Sequence, residues 1–206
     1  MSGGRLITIE GIDGAGKTTL AELLRRELLA RDLQVTLLRE PGGIELSERI
    51  RALVTDAALT VGDRAEALLY AAARSQLVQE RVRPALDDGR WVLLDRFVDS
   101  SLAYQGGGRR LGIEQVRALN EFATGGLRPD RTLLLLLDVR EALDRRRIRA
   151  DRPDRLELER EEFFYRINDA YMSLAAAEPD RIRVLDASPE PEIVLATALE
   201  QLEDLI

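Results

Sequence analysis

An α/β fold built on a parallel sheet is what this chain predicts, and three observations carry the expectation. Short apolar, β-branched segments recur along the sequence, longer stretches with helical spacing lie between them, and a glycine-rich pattern joins the first segment to the first helix. The strand segments are "RLITIE" (5–10), "VTLLR" (35–39), "WVLLD" (91–95), "TLLLLLD" (132–138) and "IRVLD" (182–186). Several are apolar at successive positions, which leaves no wet face and calls for helices on both sides of the sheet. Between them, "TTLAELLRRELLAR" (18–31) and "AEALLYAAARSQLVQERVRPAL" (65–86) place apolar residues three and four apart, as amphipathic helices do. Three of the strands end in an acid: Asp95, Asp138 and Asp186. Ligands of open parallel sheets bind beyond the carboxyl ends of strands, so Asp95 is a site candidate. Aspartate also stops strands and caps helices, and Asp138 and Asp186 are expected to be structural.

The 206 residues, 45% hydrophobic and 33% charged, suffice for one substantial core, and no linker or repeat divides them, so a single domain over 1–206 is expected. With no cysteine and no histidine, disulfides, the usual zinc sites and imidazole acid–base chemistry are excluded. A net charge of -7 argues against general nucleic-acid binding. The longest apolar run is far short of a membrane span, and the N-terminus has no basic segment followed by a long apolar one, so a soluble cytoplasmic protein is expected.

Lys17 is the only lysine, among 30 basic residues. It lies in "GIDGAGKT" (11–18), which fits G-x-x-x-x-G-K-[ST] directly after a strand and before a helix. Glycines let successive N–H groups curl around phosphates, the helix N-terminus adds positive potential, Lys17 reaches the β and γ phosphates, and Thr18 can ligate magnesium. A P-loop NTPase fold follows, with Gly11, Asp13, Gly14, Ala15, Gly16, Lys17, Thr18 and Thr19 as the expected ATP-binding residues. Guanine reading through N-K-x-D is impossible when the only lysine is in the loop, so a GTPase is not expected.

Phosphoryl transfer needs its charge offset, and the loop holds no arginine. "DRRRIRADRPDRLELER" (144–160) supplies six in Arg145, Arg146, Arg147, Arg149, Arg152 and Arg155. Like charges broken by Pro153 suit a mobile lid better than a rigid core element. Such a lid would bring guanidinium groups to the γ phosphate and exclude water. A second constellation is "LLDRFVDSSLAYQGGGRR" (93–110). There Asp95 can bind magnesium or its water, Arg96 can hold an anionic acceptor, and Ser100, Ser101, Tyr104 and Gln105 can read a base edge or a sugar. Tyr70 and Arg74, four apart on the long helix, can present a ring and a guanidinium to one planar ligand.

The order of "IEGIDGAGKTT", "LREPGG", "EALLYAAAR", "LLDRFVDSSLAYQGGGR" and "DRRRIRADRPDRLE" resembles that of the bacterial thymidylate kinases over nearly the whole chain. The resemblance implies a five-stranded parallel sheet wrapped by helices, a lid over about 144–157, transfer of the γ phosphoryl of ATP to dTMP with Mg2+, and a homodimer. It places Asp13, Glu40, Pro41, Tyr70, Arg74, Arg96, Ser100, Ser101, Tyr104 and Gln105 around dTMP. Tyr70 stacks on thymine, Arg74 and Gln105 meet the base, Arg96 holds the phosphate, and Tyr104 blocks a ribose 2′-hydroxyl. Lys17, Asp13, Asp95, Arg96 and Arg149 then carry the chemistry, with Thr18 and Asp95 at the metal and Arg145 at the ATP. Ser188 and Pro189 border the adenine. Arg149 is the first choice among lid arginines, ahead of Arg145, Arg147 and Arg155. Ile44 departs from the pattern, where a threonine is common, and Arg152 is an extra residue in the lid. Another small-molecule kinase of the superfamily and an ATP-driven switch remain as rival readings.

Overall fold

The computed structural model describes residues 3–148, 155–156 and 158–206. Five parallel strands form one sheet in the order β2-β3-β1-β4-β5. They are β1 (Leu6–Glu10), β2 (Val35–Arg39), β3 (Trp91–Asp95), β4 (Arg131–Leu136) and β5 (Ile182–Asp186), close to the sequence expectation. Alternation along β1 and β3 feeds two cores. Ile7, Ile9, Trp91 and Leu93 point into one, whereas Leu6, Val92 and Leu94 point into the other.

Helix α1 (Lys17–Ala30) covers the first face with Leu20, Leu24 and Leu28, together with α8 (Glu161–Ala177) and α9 (Pro191–Glu200). Leu24 and Leu28 are fully buried, worth about 1.5–3 kcal/mol each relative to exposure. On the opposite face lie α2 (Glu45–Thr55), α3 (Asp63–Leu77) and α4 (Arg83–Asp87), with Leu77, Val78 and Val82 packed on β2 and β3.

The helix expected over 65–86 is continuous but not uniform, since α3 passes through a π-helical turn, Val78–Val82, before α4 begins. Pro84 explains the turn: it has no N–H and its ring would meet the carbonyl four residues back, so the backbone widens one turn earlier. After β3 the short α5 (Val98–Ser101) runs into a second π-helical segment, Leu102–Gly108, and α6 (Ile113–Thr124) follows.

The arginine-rich stretch begins as helix, because α7 (Val139–Ile148) runs through Asp144, Arg145, Arg146 and Arg147. Arginine is a good helix former, and pairs one turn apart offset the crowded charge: Arg145 with Glu141 at 2.7 Å and Arg147 with Asp144 at 3.0 Å. Asp138 and Asp186 are structural, as expected. Asp138 accepts the backbone N–H groups of Arg140 and Glu141 at the start of α7, and Asp186 accepts from the Ser188 backbone and hydroxyl.

Candidate active site

The loop between β1 and α1 sits at the carboxyl end of the sheet, where the chain crosses from one side of β1 to the other. Helix α1 has no capping side chain: Gly16, with φ 91°, turns the chain into the helix and leaves its first N–H groups to an anion. Gly14 is required by packing, since a Cβ there would lie 2.2 Å from the Ala142 carbonyl oxygen of α7. Helix α7 thus rests directly on the phosphate loop.

A cavity of about 520 Å³ opens at this loop, lined by Asp13 through Leu20, by Asp95 and Arg96, and at its far end by Arg145, Ala187, Pro189, Pro191 and Val194. Lys17 is nearly buried, donates to the Ile12 carbonyl at 2.9 Å and lies 3.6 Å from Asp13. Burial, and then the neighbouring Arg96, push its ammonium below the ordinary lysine value, while Asp13 pulls it back. Thr18 donates its hydroxyl to Asp95 at 2.8 Å. Two hard oxygens thus converge, which fits a magnesium ion that keeps waters and takes its other ligands from phosphate. Among the described residues no cluster of three or more acids could cage a metal by itself. Arg145 donates to the carbonyls of Ala187 and Ser188 at 3.0 and 3.1 Å, beside the part of the cavity wall formed by Ala187 and Pro189. Gly11 is not on the cavity wall. Its carbonyl instead accepts from Arg96 at 3.1 Å.

A second cavity of about 80 Å³ is lined by Asp13, Glu40, Pro41, Tyr70, Arg74, Arg96, Ser100, Ser101, Tyr104 and Gln105, every position the sequence assigned to an acceptor. Arg51, Thr55 and Leu156 complete the wall. Arg74, 1% exposed, donates to Glu40 at 2.6 Å, to Ser101 and the Phe97 carbonyl at 2.8 Å, and to Asn120. Burial pushes Glu40 up to about 7 against the pull of Arg74, and its second oxygen is buried without a partner.

The two cavities share Asp13, Glu40, Arg51 and Arg96. Arg96 donates to Asp13 at 2.5 Å and to the Tyr104 hydroxyl at 3.1 Å, from a backbone held at φ 72°. Burial alone would raise Asp13, but Arg96 and Lys17 overcome it and hold the carboxyl below its usual range.

Glu10 supports this junction and had no place among the candidates, although the segment 5–10 ends in an acid just as 91–95, 132–138 and 182–186 do; that pattern was the available signal. Fully buried, it accepts the Phe97 N–H at 2.7 Å, the Ser100 hydroxyl and the Tyr171 hydroxyl at 3.0 Å, tying the first P-loop residue to the turn that carries Arg96. Burial, and then Asp99, raise it from 4.5 to about 7. The folded chain therefore keeps a proton that the unfolded chain loses above 4.5, so stability falls as pH rises through this window. Glu10→Gln should flatten the fall, by up to about 3 kcal/mol between pH ~5 and ~8. Urea unfolding of both proteins at the two pH values reads the difference directly.

Arg149 lies outside the described residues. Arg147 is 76% exposed and paired with Asp144, so it faces solvent. Arg155 turns away from the phosphates and donates to the Val54 carbonyl at 3.0 Å and to Glu66 at 2.5 Å. Arg146 stacks over Phe164, with its guanidinium carbon 5.2 Å from the ring centroid, and its charge acts on Asp13. Arg39 pairs with Glu48 at 2.9 Å on the nucleotide side. Arg51, which donates to the Pro41 carbonyl at 3.0 Å, had no signal in the sequence beyond being one more helical arginine.

The comparisons agree with this geometry. A family model described as thymidylate kinase matches residues 9–197. The thymidylate kinase of Alkalilimnicola ehrlichii is 46% identical over 202 residues, covering 98% of this chain and 93% of the relative. That of Oenococcus oeni is 47% identical over 209 residues, covering 99% and 97%. The crystal structure of thymidylate kinase from Ehrlichia chaffeensis superposes with a TM-score of 0.78 at 30% identity, over 97% of this chain and 99% of the other. With a phosphate loop joined to an acceptor pocket, and with these matches along almost its whole length, the chain belongs to the thymidylate kinase family.

Proposed function

We propose that this protein transfers the γ phosphoryl group of ATP to dTMP, giving ADP and dTDP on the route to dTTP. The observation that carries the reading is the junction of the two cavities at Asp13, Glu40, Arg51 and Arg96. A triphosphate on the P-loop and a monophosphate held by Arg96 would meet there head on. Lys17 and the N-terminus of α1 would bind the β and γ phosphates, and Thr18 and Asp95 would hold Mg2+, which when bound would supply charge neutralisation at the phosphate oxygens. The acceptor phosphate is already anionic near neutral pH, so no general base is needed, in keeping with a chain that has no histidine. Positioning and charge stabilisation do the rest. Arg149 is the lid arginine we assign to the transferring phosphoryl group, and Tyr104, beside Asp13 at 3.4 Å, is placed to exclude a ribose 2′-hydroxyl.

The proposal extends to a cytoplasmic homodimer. Helices α2, α3 and α6 expose Leu46, Leu53, Leu68 and Phe122, apolar residues that a second copy would cover. Among the described residues no helix is long and apolar enough to cross a membrane.

The test is ADP release from ATP and Mg2+ with dTMP, dUMP, the ribose form of TMP, dCMP, AMP, thymidine or no acceptor. dTMP should be the best substrate by a wide margin and the ribose form should be rejected. ADP release without an acceptor would remove the kinase reading and favour an ATP-driven switch.

A further inference from the structure

Glu66 of α3 is fully buried and outside the set of residues that touch the acceptor cavity, yet four hydrogen bonds reach it within 3.3 Å. Its Oε1 accepts from Gln105 Nε2 at 2.9 Å and Arg109 Nε at 3.3 Å. Its Oε2 accepts from Arg109 at 3.1 Å and Arg155 at 2.5 Å. Arg109 is itself fixed, stacked 4.7 Å over Phe163 and bonded to Glu159.

A carboxylate facing two guanidinium groups can only accept. Gln105 must therefore turn its NH2 group to Glu66, which leaves its carbonyl oxygen for the acceptor cavity that it lines. An amide is free to flip unless a neighbour decides its direction, and here the neighbour is a charged one. The direction matters chemically. A thymine or uracil ring offers an N3–H donor and an O4 acceptor, whereas cytosine offers a bare N3 acceptor and an N4 amine. A Gln105 carbonyl set opposite ring position 3 accepts from the N3–H of the first and meets only a lone pair on the N3 of the second.

We propose that Glu66 is a specificity-positioning residue, which fixes the Gln105 amide so that the pocket presents an acceptor to the base and selects imide pyrimidines over cytosine. This rests on the dTMP kinase reading. Acting through Gln105, Glu66 contributes by discrimination, because a site built around one hydrogen-bond pattern leaves buried groups unpaired with the wrong base. The same carboxylate ties Arg155, where the lid rejoins the body, to the residue that reads the base.

The test is kcat/KM for dTMP and dCMP in the wild type, Glu66→Gln and the double variant Glu66→Gln with Gln105→Glu. In Glu66→Gln the two arginines should claim the new amide oxygen, turning its NH2 toward Gln105, which must then flip and show its own NH2 to the base. The dTMP-to-dCMP ratio should fall at least ~10-fold, mostly through KM for dTMP. In the double variant, the carboxylate introduced by Gln105→Glu again offers only acceptors and the preference should return. A folded Glu66→Gln protein with an unchanged ratio overturns the proposal. Should that variant fail to fold, the double variant, which keeps the acid within the cluster, decides: retained preference supports the proposal and lost preference sinks it. A wild type that does not phosphorylate dTMP would instead overturn the function itself, so the two failures are distinguishable.

Discussion

Lys17→Ala should lower turnover by at least ~10³-fold while leaving dTMP affinity, measured calorimetrically without ATP, within about a factor of three. The asymmetry follows from where the ammonium stands. Lys17 is held by its own loop, through the Ile12 carbonyl and Asp13, and it lines the nucleotide cavity without lining the acceptor cavity. Its removal takes positive charge from the γ phosphate at the moment of transfer, while Arg96 still holds Asp13 at 2.5 Å. Lys17→Arg should not restore turnover. The position is only 6% exposed, and a planar guanidinium cannot replace a compact ammonium there without pushing against Arg96. This answers why one lysine survives in a chain that otherwise uses arginine for every basic residue. Loss of both turnover and dTMP binding in Lys17→Ala would mean that the residue organises the acceptor site as well.

The contrast between what the sequence made legible and what it did not has a physical basis. Strands β1, β3 and β4 are buried on both faces, so Trp91–Leu94 and Leu133–Leu136 are continuously apolar and cannot be mistaken for loops. The P-loop was equally plain, because close backbone approach to phosphate demands glycine at fixed spacing. Most residues that line the second cavity were legible because hydroxyls, amides and guanidiniums cluster just after a strand.

Residues one layer behind were not found. Glu66 reads in sequence as one polar position on an amphipathic helix, and only the packing of α3 against the π-helical segment turns it into a buried partner of Gln105 and Arg109. Tyr171 and Asn120 come to the site over long chain separations, 161 residues from Glu10 for the first and 46 from Arg74 for the second, with no local pattern to announce them. At the start of the arginine-rich stretch, i,i+3 and i,i+4 acids let α7 continue to Ile148.

Arg96→Ala should raise KM for dTMP at least ~10²-fold and lower turnover as well, while the affinity for thymidine, which has no phosphate, stays near that of the wild type. The guanidinium contacts Asp13, the Gly11 carbonyl, Ser100 and the Tyr104 hydroxyl, at the junction of the two cavities. The base end is organised separately by Arg74, Ser101 and Gln105. Without Arg96, dTMP should therefore bind no better than thymidine. Arg96→Lys should recover only part of the loss, since an ammonium has no fork to span Asp13 and an acceptor phosphate together. The pH profile supplies a second readout. Arg96 is the largest of the three charges, with Lys17 and Arg146, that hold Asp13 below its usual range, so removing it lets burial raise the Asp13 carboxyl. If ionised Asp13 is needed, the acid limb of kcat/KM should move to higher pH in Arg96→Ala and stay in place in a Tyr104→Phe control, which keeps the Arg96 to Asp13 pair. An equal loss of thymidine and dTMP binding would show instead that Arg96 holds the fold of the β3 to α5 turn, and its assignment to the acceptor phosphate would fail.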